Sequence, residues 1–119
     1  MKRATLLSYF PACLLLFALS AGAHEAGHYA QHINEQTAMT IGLKKAQQFA
    51  VIDAGMGFGL LAPSWQRLNR GAVFIHSKDQ DYYIVRVDNP AEKQSLYLAI
   101  LSDSGELHGA NWSGEFPDL

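Results

Sequence analysis

Three histidines stand four residues apart near the amino terminus, at His24, His28 and His32. Residues at positions i and i+4 share one face of an α-helix, so the three rings could converge on one ion if this segment became helical on binding. Imidazole binds copper, zinc and nickel. The spacing therefore indicates a candidate site for a divalent transition metal, copper or zinc. The alternative is a solvated polar segment, which Gly27 and the polar context favour.

The residues before His24 have the layout of a secretory signal peptide. Lys2 and Arg3 precede an apolar run over residues 6–19, and Ala21-Gly22-Ala23 places small residues at positions −3 and −1. The run falls short of the roughly 20 residues that a spanning helix needs. We expect cleavage near Ala23 and a periplasmic or secreted protein that does not span a membrane after cleavage. Cleavage would give His24 a free amine, which could chelate copper together with its ring.

The expected mature chain of 96 residues is long enough for one domain and too short for two. The single cysteine, Cys13, lies in the predicted signal peptide, so the mature chain has no disulfide, thiolate ligand or cysteine nucleophile. Two of the nine basic residues also leave with that peptide, and seven remain against eleven acidic ones. A net charge of −4 does not support nucleic-acid binding. The sequence leaves the oligomeric state open.

One long helix is predicted over residues 35–54, because apolar side chains there cluster on about half of a helical wheel. Asn34 suits the N-cap, and the glycines of Gly55-Met56-Gly57-Phe58-Gly59 end the helix. That glycine alternation is not a phosphate loop, because no strand precedes it and it follows a helix. A short helix is predicted at residues 63–70, with Trp65 as a core anchor.

The remaining chain is predicted to form strands at residues 72–76, 82–88, 94–102 and 106–112, because β-branched, aromatic and leucine residues alternate there between turn residues. Short connections imply antiparallel neighbours. In the second strand, Tyr83, Val85 and Val87 form a core face while Arg86 and Asp88 face water. The fold class is therefore α+β, one main helix on an antiparallel sheet of three or four strands. The expected organisation is a signal peptide at 1–23, a mobile leader at 24–34 and one domain at 35–119.

No catalytic constellation stands out, and we expect a protein that is not an enzyme. Asp103-Ser104-Gly105-Glu106 has the residues of a hairpin turn, which these types favour for backbone reasons. His76 and His108 lie in or beside predicted strands and could join a metal site, although a lone strand histidine is more often a surface residue. Asn111-Trp112-Ser113 matches a glycosylation sequon, but a structural role explains it as well: Trp112 caps the core and Asn111 bonds the backbone.

Six short motifs follow one another along the chain: Pro63-Ser64-Trp65, Tyr83-Ile84-Val85-Arg86-Val87, Asp88-Asn89-Pro90, Gln94-Ser95-Leu96-Tyr97, Asp103-Ser104-Gly105-Glu106 and Ala110-Asn111-Trp112-Ser113-Gly114. Their types and order resemble a family of short exported bacterial proteins known only as a domain of unknown function. The resemblance covers roughly residues 35–116 and implies a histidine-rich leader. Here three spaced histidines replace the dense histidine repeats of other members, which counts against high-capacity metal binding. The helix and the hairpin with its S-G-E turn also resemble PepSY domains, small exported α+β modules.

Two functional hypotheses follow. The first is a periplasmic binding or accessory module that binds a divalent transition metal through His24, His28 and His32. The second, implied by the PepSY resemblance, is a protein-interaction module that modulates an exported enzyme or an envelope complex. In that case the sheet surface around Tyr82, Ile84 and Arg86 would contact an envelope protein, and the leader would not.

Overall fold

The computed structural model describes residues 32–119, and the predicted signal peptide lies outside them. Within the described part, one α-helix precedes a four-stranded antiparallel sheet with strand order β1-β2-β3-β4. The elements are α1 (Glu35–Gln48), two 3₁₀ helices (Pro63–Arg67 and Arg70–Ala72), β1 (Val73–Lys78), β2 (Tyr82–Asn89), β3 (Gln94–Leu101) and β4 (Leu107–Asn111). The predicted α+β class is therefore confirmed. None of the helices in this region is long and apolar enough to cross a membrane.

The core lies between α1 and the inner face of the sheet. Val85 and Val87 are fully buried, as the alternation in the second strand predicted, and paired residues of β3 lie beside them. The helix approaches the sheet closely at Gly42, where a Cβ atom would stand 2.6 Å from Cγ1 of Val85. A glycine at this position therefore lets the helix backbone rest on the central strands.

The helix begins where the sequence predicts. The side chain of Asn34 accepts a hydrogen bond from the Thr37 N–H at 2.9 Å, which is the geometry of an N-cap. Ile33 donates its N–H to the Ser102 carbonyl at 2.8 Å and accepts a hydrogen bond from the Tyr83 hydroxyl at 3.0 Å. Ile33 and Asn34, assigned to the leader from the sequence, are thus bonded to the sheet and the helix.

The helix ends at Gln48, six residues before the predicted end. A continuing helix would use the Phe49 carbonyl as an acceptor for Asp53, but this carbonyl accepts instead from the Leu61 N–H at 2.9 Å. Residues 49–52 form tight turns with hydrogen bonds from Ala50, Val51 and Ile52 back to Gln47 and Gln48. The apolar pattern that predicted a longer helix instead supplies side chains to a loop, where Ile52 is 58% exposed.

The outer face of the sheet is less open to water than predicted. Ile84 and Ala99 lie on this face and are only 3% and 0% exposed. The carboxyl-terminal segment after β4 folds back over part of it: Gly114 lies so close to the Tyr97 ring that a Cβ would stand 2.9 Å from Cδ2. The Phe116 ring lies beside Gly109 in the same way. The prediction that this face of β2 meets water is therefore wrong at Ile84, whereas Arg86 and Asp88 remain partly exposed.

Candidate functional site

The predicted metal site lies mostly outside the described residues, which contain neither His24 nor His28. His32 is described, and it is exposed directly before Ile33. His76 is exposed with its ring 4.9 Å from that of Tyr97, and His108 places Nε2 3.1 Å from Oδ2 of Asp118. Within residues 32–119, no three histidine, cysteine or acidic side chains gather as a metal-ligand group.

A groove of about 600 Å³ lies between the end of α1 and the turn that joins β3 to β4. Three segments line it: the last turn of α1 with Lys45 and Gln48, the loop that begins at Phe49, and the β3–β4 turn. The loop contributes Ile52, Asp53, Ala54 and Met56, and the turn contributes Ser104 to Leu107. We call this feature the groove. It combines an apolar floor with charged side chains at its rim.

The loop beside the groove owes its course to glycines with left-handed backbones. Gly55, Gly57 and Gly59 have φ angles of 74°, 94° and 72°, and no atom lies within 4 Å of where their Cβ atoms would be. These glycines are therefore required for their left-handed backbone conformation and not for close packing. The Asp53 carboxylate accepts a hydrogen bond from the Gly55 N–H at 2.7 Å, which fixes the start of the loop. Met56, between two of these glycines, lines the groove.

The opposite wall is the β3–β4 turn, and the prediction of a hairpin turn there is confirmed. Gly105 has φ of 77° and donates its N–H to the Leu101 carbonyl at 2.8 Å. The Ser104 hydroxyl accepts from the Glu106 N–H at 3.2 Å. The site of a Cβ on Gly105 lies 3.1 Å from Cδ1 of Ile41, so the turn packs directly on the helix. This contact fixes the turn against the middle of α1, and Glu106 lines the groove together with Lys45 and Gln48.

An aromatic chain connects the floor of the groove with the carboxyl-terminal segment. Ring centroids are 6.1 Å apart for Phe49 and Phe58, 5.4 Å for Phe58 and Trp112, and 6.0 Å for Trp112 and Trp65. Trp65 is completely buried, as predicted for a core anchor, whereas Trp112 remains 38% exposed. Such tilted pairs stabilise an arrangement beyond the area they bury. The floor of the groove is therefore supported by the core.

The sequon is a structural turn. Asn111 accepts a hydrogen bond from the Gly114 N–H and donates one to the Glu115 carbonyl, both at 2.8 Å. Ser113 accepts from the Glu115 N–H at 3.2 Å. The predicted role of Asn111 in bonding the backbone is confirmed, and the turn directs Trp112 toward Phe58 and Trp65.

Sequence reasoning missed the groove. Its walls come from parts of the chain that are about 50 residues apart, and both were interpreted only as local structure: residues 49–54 as helix and residues 103–106 as a hairpin turn. The one local signal was the apolar content of the glycine-rich stretch, where Met56 and Phe58 alternate with glycines that a solvated turn does not need.

A family model described as a family of unknown function (DUF6488) matches residues 1–115. No curated protein and no solved structure matches the chain.

Proposed function

The chain belongs to DUF6488, a family of unknown function, and from this premise we propose that it is a small exported binding or accessory module that acts on a partner protein of the cell envelope and is not an enzyme. The groove is the observation that carries this proposal. Ile52 and Met56 are 58% and 38% exposed at its edge, above the buried Phe49. Exposed apolar side chains around a concave surface are typical of binding sites.

The groove suits a partner protein better than the sheet surface implied by the PepSY resemblance. On that surface Ile84 is buried, and Arg86 is engaged by Asp88 at 3.0 Å while its guanidinium lies over the Phe74 ring at 4.6 Å. These side chains already have intramolecular partners. The proposed interaction therefore keeps the PepSY-like role and assigns it to the groove.

Site-specific crosslinking tests the proposal. A photoreactive phenylalanine derivative at Ile52, in the protein expressed in its source cells, should form a discrete covalent adduct with one envelope protein. The matched control places the same derivative at Gln66, which is exposed and does not line the groove. The same adduct from both positions, or none from Ile52, would contradict the proposal. Deleting residues 24–31, which spares Ile33 and its hydrogen bonds to the sheet, should leave the adduct unchanged.

Export rests on the arrangement of Lys2, Arg3, the apolar run and Ala21-Gly22-Ala23. We expect the protein in the periplasm or the medium with His24 as its first residue. Cell fractionation followed by mass spectrometry of the amino-terminal peptide checks this. An Ala23→Arg variant should stay uncleaved, and an intact amino terminus in the unmodified protein would refute export by this route.

A second candidate function is metal binding by the leader, favoured by the regular spacing of His24, His28 and His32. Copper or zinc would be held by imidazoles, with the free amine of His24 as a further ligand. Calorimetric titration of the cleaved protein with each metal should give heat that a triple histidine-to-alanine variant lacks. Equal heats from the two proteins would eliminate this function.

A further inference from the structure

Three charged side chains line the groove, and within residues 32–119 none of them has an ion-pair partner. They are Lys45 on α1, Asp53 in the loop and Glu106 in the β3–β4 turn. The ion pairs of this region lie elsewhere. One of them joins Lys78 to Glu35, where the hydrogen bond with Glu35 raises the pKa of Lys78. The groove thus retains charged groups that form no ion pair with a described neighbour.

The balance of that charge is negative. Two carboxylates, Asp53 and Glu106, line the groove together with one lysine, Lys45. The hydrogen bond from the Gly55 N–H to Oδ1 of Asp53 fixes the orientation of that carboxylate. A cationic group entering the groove would therefore meet an acceptor that is already oriented, which lowers the entropy cost of binding.

Exposed apolar side chains flank Asp53 in the loop. Ile52 directly precedes Asp53, and Met56 follows it by three residues, so exposed aliphatic groups lie close to the acid along the chain. Lysine and arginine side chains have an aliphatic stem and a charged end, and they bury the stem on apolar surface while the end reaches a polar group. The groove matches this combination of properties.

We propose that the groove binds a segment of the partner protein in which a lysine or arginine is flanked by apolar residues, with Asp53 and Glu106 accepting hydrogen bonds from the basic group. This inference rests on the proposed function, because it specifies the partner of the same groove. The ammonium group of Lys45 repels the basic group of this segment and so limits its affinity for the groove. Its removal should strengthen binding, whereas removal of the carboxylates should weaken it.

Synthetic peptides of nine residues test the inference without knowledge of the partner. One peptide carries a central arginine between leucines, a second replaces arginine by the neutral isostere citrulline, and a third by glutamate. Each is titrated into the ¹⁵N-labelled protein. The arginine peptide should bind about tenfold more tightly than the citrulline peptide, as expected for a charge-assisted hydrogen bond, and should shift the amide signals of Gln48, Met56 and Gly105.

Variants then assign the charge effect to the groove. Asp53→Asn with Glu106→Gln should abolish the preference for arginine, and Lys45→Gln should increase it. Asparagine at position 53 keeps the oxygen that accepts from Gly55, so the loop is preserved. Glu92→Gln is the matched control, because Glu92 is exposed at the β2–β3 turn, away from the groove. Equal binding of the arginine and citrulline peptides, shifts confined to other surfaces, or no binding of any peptide would overturn the inference.

The experiment also separates this inference from the proposed function. If Ile52 crosslinks to a partner but the arginine and citrulline peptides bind equally, the proposed recognition of a basic segment is refuted and the proposed binding function stands. If no adduct forms at Ile52 but the protein still prefers the arginine peptide, the proposed binding of an envelope protein is refuted, and the groove remains a site with affinity for cationic groups. Ile52→Ser should weaken binding of the arginine peptide, since it removes apolar contact without adding charge.

Discussion

Asn111 attaches the carboxyl-terminal segment to the sheet with both ends of its amide. Its oxygen accepts from Gly114 and its nitrogen donates to Glu115. We expect Asn111→Ala to lower the free energy of unfolding by about 1–3 kcal/mol, because two hydrogen bonds are lost and one half-buried turn is released.

Urea unfolding followed by tryptophan fluorescence measures this change, since Trp112 lies directly after the substituted residue. Asn111→Asp keeps the acceptor oxygen and should cost less than alanine. Equal losses for the two variants would show that the acceptor to Gly114 does not contribute.

Gly42 sets how closely the helix approaches the sheet. A methyl group at this position would collide with Val85 at 2.6 Å. Alanine improves helix propensity by about 1 kcal/mol, but overpacking a core costs roughly 1–3 kcal/mol. We expect Gly42→Ala to destabilise the protein on balance.

A double-mutant cycle tests the collision itself. Val85→Ala alone leaves a cavity, and combined with Gly42→Ala it makes room for the new methyl group. The double variant should be more stable than the sum of the two single effects, measured by chemical unfolding. Additive effects would mean that Gly42 and Val85 do not clash.

The start and the end of α1 have different causes at the scale of the element. The start is local, since Asn34 caps the helix through Thr37. We predict that Asn34→Ala lowers the free energy of unfolding by about 1 kcal/mol, while Asn34→Asp preserves it. Thermal unfolding followed by circular dichroism compares the two. Identical melting temperatures for alanine and aspartate would contradict a capping role.

The end of α1 depends on a distant residue. Leu61 donates its N–H to the Phe49 carbonyl and so directs residues 49–60 into a loop instead of a further helical turn. The apolar periodicity predicts a helix to residue 54, because a local pattern carries no information about the hydrogen bond between Leu61 and the Phe49 carbonyl. Ile52, Asp53 and Ala54, which would otherwise continue the helix, form one edge of the groove.

The whole described domain shares one hydrophobic core, and the loop beside the groove contributes to it through Phe58 and Leu61. We therefore predict a single cooperative unfolding transition for the cleaved chain, with equal calorimetric and van't Hoff enthalpies. Differential scanning calorimetry checks the prediction. A separate transition at lower temperature would mean that the loop and the groove fold independently of the sheet.

The sequence by itself determined the α+β class, the four strands and the family, and each depended on local information. Alternating side chains define a strand because its period is two residues, and short turns such as Asp103 to Glu106 force antiparallel neighbours. Resemblance to a family of unknown function also came from short motifs, and the match over residues 1–115 confirms it.

Tertiary structure alone decided the groove, the early end of α1 and the cover on the outer face of the sheet. Each depends on contacts between residues far apart in the chain: Phe49 with Leu61, Ile41 with Gly105, and Tyr97 with Gly114. Local propensity cannot encode such contacts, because their free energy arises only when distant segments pack together. For that reason Asp53 and Glu106, unremarkable in the sequence, lie beside one groove in the folded protein.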